Sequence, residues 1–238
     1  VLGIHQDPVS IEHIEKTIAE EAFGRGLIKA NIPENRTAKK VAVIGSGPAG
    51  LAAAAQLNNA GHTVRVYERD DQIGGLLRYG IPDFKLEKWV IDRRLELMKE
   101  EGIEFKCKSE IGKDIDPKFI QSEYDAIVIC TGSTVPRDLN IPGREYNGIH
   151  FAMDFLSEQN KNVYTNTPEN VNISAKNKNV IVIGGGNTGS DCIGTSHRKG
   201  AKNVMQIELL EKPAKTRGEK DPWPLWPMTV RTSSSHEE

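Results

Sequence analysis

Residues 40–68 read KVAVIGSGPAGLAAAAQLNNAGHTVRVYE, and the order of residue types along them decides the fold. Lys40 opens a short β-branched run (Val41, Val43, Ile44) that stops at a glycine cluster, and Leu51 to Leu57 continue as an alanine-rich run suited to a helix. Gly61 and His62 end that helix. Thr63 to Tyr67 then form a second β-branched strand, followed at once by the acid Glu68. The three glycines of the GxGxxG pattern answer different needs. Gly45 permits a sharp turn, Gly47 leaves room for a pyrophosphate to approach the backbone, and Gly50 lets helix and strand pack closely. Ser46, Pro48 and Ala49 fill the rest of the loop, whose free helix N–H groups favour phosphate. Glu68 lies roughly 20 residues past Gly50, at the end of the second strand, where its carboxylate can accept both ribose hydroxyls, with Arg69 beside it. Strand, turn, helix, strand and acid together predict a dinucleotide-binding α/β unit. A glycine-rich turn with a surface glutamate would leave the spacing unexplained.

The 238 residues can hold one large or two modest domains. Lysines and arginines number 31 against 33 acids, a formal charge of −2, so nothing in the charge balance calls for nucleic acid or an anionic membrane. No apolar run is long enough to span a membrane and no signal-peptide pattern is present, which points to a cytoplasmic protein. Cys107, Cys130 and Cys192 are widely separated and form no CxxC pair. Reduced, mostly buried thiols are expected, with no metal site and no disulfide framework. The first residue is Val, and the RTSSSHEE end carries no terminating pattern, so the chain reads as a piece of something longer.

Ahead of the first strand, residues 1–38 form a predicted helical arm with Ile11, Ile14, Ile18 and Ala22 at helical spacing and Ser10 as N-cap; it either docks on a neighbour or serves as a structural strut. After Glu68, the doublet Gly74-Gly75 allows close backbone approach to a bound dinucleotide, with Leu76 following. Arg78 and Lys85 flank Tyr79-Gly80-Ile81-Pro82, in which Ile81 is a further cofactor-binding candidate, and either meet cofactor oxygens or remain solvated loop cations. Val90, Ile91, Leu95 and Met98 follow a helix period that also places Trp89 in the core. Ile103 to Cys107 reads as a strand. Asp125 to Cys130 reads as a strand buried in a parallel sheet, delivering Thr131-Gly132 to the ligand-binding edge. A first domain over 39–155 follows.

Residues 157–179 are polar and asparagine-rich, and read as a surface connection. The opening pattern then returns. Val180 to Ile183 leads into Gly184, Gly185, Gly186, Asn187, Thr188 and Gly189, a helix ending at Gly200, and a strand from Val204 to Leu209. A second, partial domain over 156–238 is therefore expected, and one redox cofactor with one nicotinamide makes an economical pair. At its discriminating position the residues leave a choice: Glu208 for ribose hydroxyls, or Arg198, Lys202 or Lys212 for a 2′-phosphate. The tail holds Trp223 and Trp226 between Pro222, Pro224 and Pro227, an extended loop that either binds a partner or packs as a cover.

These motifs resemble the glutamate synthase small-subunit family, within the wider group of flavin oxidoreductases that includes adrenodoxin reductase-like enzymes and the N-terminal part of dihydropyrimidine dehydrogenase. The blocks that carry the resemblance are VLGIHQDPVSIEHIE, IGSGPAGLAAA, GGLLRYGIPDFKL, VICTGS, VIGGGNTGSDCIGTS and DPWPLWP to SSSHEE. It implies two Rossmann-like domains, both incomplete here. FAD would lie on Gly45, Gly47, Gly50, Glu68, Gly75, Lys85 and Thr131-Gly132, and NADPH or NADH on Gly184 to Thr188. Hydride would pass to the flavin and electrons onward to iron-sulfur clusters and a large subunit, or fused large domain, that forms glutamate from glutamine and 2-oxoglutarate. No catalytic side chain is implied, since the cofactors carry the chemistry. A cysteine-rich cluster-binding segment is implied ahead of Val1, and the rest of both folds after Glu238. Leu209-Leu210 stand where relatives often carry paired arginines. A subunit of an NADH-dependent ferredoxin:NADP oxidoreductase, and a cofactor-free docking module, are the competing expectations.

Overall fold

A computed structural model describes residues 9–165, 171–219, 221–222, 225, 229–230 and 232–236. The stretch 1–8 and Trp223, Pro224, Trp226 and Pro227 of the tail lie outside the described residues. The fold is α/β, with two parallel-sheet units of Rossmann type.

In the first unit, β1 (Lys40–Ile44), β2 (Thr63–Tyr67), β3 (Glu104–Lys106) and β4 (Ala126–Ile129) form one parallel sheet in the order β3-β2-β1-β4. Alternation along the strands feeds two cores. Val43, Val64 and Val66 pack against Leu51 and Ala54 of α2 (Pro48–Asn59) and Ile91, Leu95 and Met98 of α4 (Lys88–Glu100). On the other face Ala42 and Tyr67 meet Ile120 of α5 (Pro117–Glu123). The segment leading into β1 is pinned by Arg36, which donates to Asn58 Oδ1 (2.7 Å), His62 O (3.0 Å) and Glu101 O (3.0 Å).

Three expectations change at this level. Trp89 is 48% exposed and lies under the Arg93 guanidinium rather than in the core. It precedes Ile91 by two residues, about 200° around the helix, and so faces away from the Ile91-Leu95-Met98 stripe. β4 is paired as expected, but only its Val128 side packs; Ile127 and Ile129, on the same face as Ala42, are exposed because nothing described covers the sheet beyond α5. Ser10 does precede α1 (Ile11–Gly24), yet its side chain makes no capping bond, and α1 buries none of its residues.

The second unit pairs β5 (Asn179–Ile183) with β6 (Asn203–Ile207) in parallel, joined by α7 (Asn187–Arg198). Val182, Cys192 and Ile193 share a core with Phe155 and Leu156 of α6 (Ala152–Thr165). Residues 157–165, expected as part of a surface connection, thus belong to a packed helix, and a division at 155/156 falls inside it. Composition misled here because the buried residues are amides, two of which find backbone partners: Asn160 Nδ2 donates to Tyr79 O (2.9 Å) and Gln159 Nε2 to Ile173 O (3.1 Å). Through the Asn160 bond α6 bridges the two units, reaching α3 (Leu76–Tyr79) of the first.

Candidate dinucleotide sites

The first site starts from backbone. Gly45 has φ +102°, a left-handed value that favours glycine, and a Cβ on it would run into the Cys130 carbonyl. A Cβ on Gly50 would overlap the Gly45 carbonyl, so α2 can approach β1 this closely only without one. By contrast nothing lies within 4 Å of a Cβ built on Gly47, which opens to the cleft and begins α2 with Pro48 behind it. Among the described residues no side chain caps that helix N-terminus.

Behind the turn stands a buried polar cluster. Glu68 is 5% exposed; its Oε2 accepts from the Ser46 N–H (3.0 Å) and the Ser46 hydroxyl, and its Oε1 from the Asp70 N–H (2.9 Å). Ser46 Oγ also accepts from the Gly74 N–H at 3.0 Å. One hydroxyl thereby ties the glycine turn, the acid and the Gly74-Gly75 doublet together. Gly75 (φ +51°) comes so near that its Cβ would lie 2.8 Å from Gly47 Cα. Beside the acid, burial and the charge of Glu68 hold the Asp70 carboxyl above the ordinary carboxylate range.

A cleft of about 1720 Å³ opens in front of this cluster, large enough for a dinucleotide. Gly45, Ser46, Gly47, Pro48, Ala49, Glu68, Arg69, Gly75, Leu76, Thr131 and Gly132 all line it. Four expected residues do not. Gly50 packs behind the turn. Arg78 is 2% exposed, its Nε donating to Ile73 O (2.6 Å) and its Nη2 pairing with Asp92 (2.5 Å), so it is neither a cleft cation nor a solvated one. Ile81 bonds back to Leu76 O and accepts from Lys88 Nζ. Lys85 turns to the second unit, with Nζ 2.5 Å from Asp191 Oδ1. Sequence reasoning missed Asp70, Ser109, Cys130, Lys161 and Asn162 on the cleft wall. Only Cys130, just ahead of Thr131-Gly132, carried a local signal.

The second turn repeats the first. Gly184 has φ +120°, Gly186 begins α7 at φ −78°, ψ 178° against −64°, 179° for Gly47, and a Cβ on Gly189 would overlap Gly184 O. Gly186, like Gly47, faces open space. Ile183 reaches the cleft wall, while residues 184–189 lie beyond it. The Glu208 carboxylate occupies the place a Cβ on Gly185 would take. Of the cysteines, Cys192 is buried, its thiol pushed up to about 12 by burial and then Asp191, and Cys107 is raised by burial first; both are kept protonated. No cluster able to hold a metal ion occurs among the described residues, and none of their helices is long and apolar enough to cross a membrane.

A family model described as pyridine nucleotide-disulphide oxidoreductase matches residues 39–221, which covers both glycine turns. The chain belongs to this family. Among relatives of this pyridine nucleotide-disulphide oxidoreductase chain, the "Glutamate synthase [NADPH] small chain" of Mycobacterium tuberculosis (strain ATCC 25618 / H37Rv) is 50% identical over 242 residues, covering 100% of this chain and 50% of that one. "Glutamate synthase [NADH]" of Schizosaccharomyces pombe is 51% identical over 240 residues, 100% of this chain and 11% of the relative. The expected resemblance to glutamate synthase small chains therefore holds along the whole chain, which spans about half the length of the bacterial relative. Among solved structures, Mycobacterium tuberculosis FprA in complex with NADPH aligns at a TM-score of 0.60 and 25% identity, over 71% of this chain and 43% of that one.

Proposed function

We propose that this chain carries the FAD site and the start of the NAD(P)H site of a flavoprotein oxidoreductase that supplies electrons for making glutamate from glutamine and 2-oxoglutarate. The observation that carries the reading is the pair of glycine turns with matching backbone geometry in one chain, the first opening on a dinucleotide-sized cleft whose wall reaches the second at Ile183. The 50% identity to a protein named glutamate synthase small chain supports the end use.

FAD would be held by Gly45, Ser46, Gly47, Pro48, Ala49, Glu68, Arg69, Gly75, Leu76, Thr131 and Gly132, the residues that share the cleft. Gly184 to Gly189 and Glu208 would hold the nicotinamide nucleotide. A bound flavin supplies the ring that takes a hydride and releases electrons one at a time. The chain's own residues bind and orient: Glu68 would accept hydrogen bonds from the ribose hydroxyls, the bare turns would receive pyrophosphate, and α6 holds one unit against the other through Asn160 and Tyr79. Division of the units ahead of α6, rather than at 155/156, belongs to the same reading. So do iron-sulfur clusters in the full-length protein, a large subunit or fused large domain as acceptor, and a cytoplasmic setting.

Gly186→Val in the full-length protein tests the assignment. The branched side chain fills the open space in front of α7, so NAD(P)H oxidation with an artificial acceptor should vanish while the yellow flavin stays bound. Loss of the flavin instead would mean the two cofactors are reversed. A colourless parent protein that cannot be reconstituted with FAD would favour a docking module.

A further inference from the structure

The end of β6 bears on a choice that spacing leaves open. In the first unit Ile44, ahead of the glycine turn, pairs with Tyr67, and Glu68 follows; in the second Ile183, ahead of its turn, pairs with Ile207, and Glu208 follows. Register therefore makes Glu208 the counterpart of Glu68, although the connection before it is one residue longer. The side chain behaves accordingly. Its carboxylate leans onto Gly185, the residue in the place of Ser46, with Oε1 accepting from the Leu209 N–H at 2.8 Å.

Two of the three cations offered for a 2′-phosphate lie away from the turn. Arg198 sits at the far end of α7, with Nη1 donating to Gly194 O (3.1 Å) and the guanidinium 3.7 Å above the Phe84 ring. Lys202 enters β6 from the edge opposite the turn, its N–H bonded to Lys178 O. Next to Glu208 come Leu209 and Leu210, 95% and 71% exposed, which can neither pair with nor hydrogen-bond an added phosphate through their side chains. Lys212 follows beyond them.

We propose that Glu208 selects NADH over NADPH by presenting a carboxylate to the adenosine ribose at the second glycine turn. The inference rests on the reading of that turn as the nicotinamide nucleotide site. A ribose diol donates hydrogen bonds to the carboxylate, whereas a 2′-phosphate removes one donor and sets two anions side by side.

Calorimetric titration of the full-length protein with NAD+ and with NADP+ reads this directly, without turnover. NAD+ should bind roughly ten- to a hundredfold more tightly, the range for hydrogen bonds to a charged group. Glu208→Gln should bring the two within about threefold, and Glu208→Asp should keep their order, while retained flavin absorbance certifies the fold of each variant. Equal affinities in the parent, or a gap that Glu208→Gln leaves unchanged, overturns the role of Glu208 alone. A preference for NADP+ that Lys212→Ala abolishes overturns it in favour of the lysine. Binding of neither nucleotide removes the second site and this inference with it.

Discussion

Around Gly45 the turn is closed from behind: Ser46 is fully buried, its hydroxyl bridges Glu68 and Gly74, and Gly75 presses against Gly47. Around Gly184 the same backbone stands in the open. Gly185 replaces the serine, Glu208 is exposed, and the turn is braced by Gln206, whose Nε2 donates to Gly184 O at 2.7 Å. The sheets differ in the same sense: in the first, β1 and β2 are covered on both faces and only the Ile127-Ile129 side of β4 is bare, whereas the second is two strands covered on one face. The comparison teaches that turn shape is local, set by left-handed glycines and a helix start. The stiffness of the acid beneath the turn is tertiary, set by what a single side chain can reach.

The largest effect that tests this contrast is on stability. Gly50→Ala drives a methyl into the Gly45 carbonyl within a tightly packed unit, and should cost about 3 kcal/mol, the upper end of overpacking penalties. Gly189→Ala meets the equivalent carbonyl in the looser unit and should cost about 1 kcal/mol. Denaturant titration of both variants checks the order, and a costlier Gly189→Ala would break the comparison.

Next in size is Glu68→Ala. FAD affinity should fall by roughly 1.5–3 kcal/mol, about ten- to a hundredfold, because the ribose loses a charged acceptor. The Ser46 and Asp70 N–H groups lose their partner as well. Flavin fluorescence titration measures the loss, and an unchanged dissociation constant would take Glu68 out of the site.

The smallest effect sharpens the electrostatics of the closed turn. Because burial and Glu68 raise the Asp70 pKa, the folded chain binds that proton more tightly than the unfolded chain does. Ionising Asp70 therefore costs stability, and the cost sets in as pH rises through the ordinary carboxylate range and is complete above the raised value. Asp70→Asn should melt with the parent below about pH 3 and above it at neutral pH. Melting curves across that range would refute the assignment if the difference did not change with pH.

Much of this was legible in the sequence wherever cause and consequence lie close together along the chain. β1, the turn at Gly45, α2 and β2 follow from β-branched runs, glycines and an alanine-rich stretch, and they formed where expected. Arg78 was not legible, because its burial depends on Ile73 and Asp92 folding around it. Nor was α6, whose amides look like solvent-facing residues until Tyr79 and Ile173 supply their partners. Glu208 lay between: the residue was visible, but only strand register, insensitive to a connection one residue longer, makes it equivalent to Glu68.

The bare side of the second sheet has a practical consequence. Ile181, Ile183, Met205 and Ile207 all project from it and are all exposed, a contiguous apolar plane on a ribbon that has two strands among the described residues. Aggregation of a preparation of residues 1–238 would therefore report on this exposed face rather than on a faulty nucleotide site.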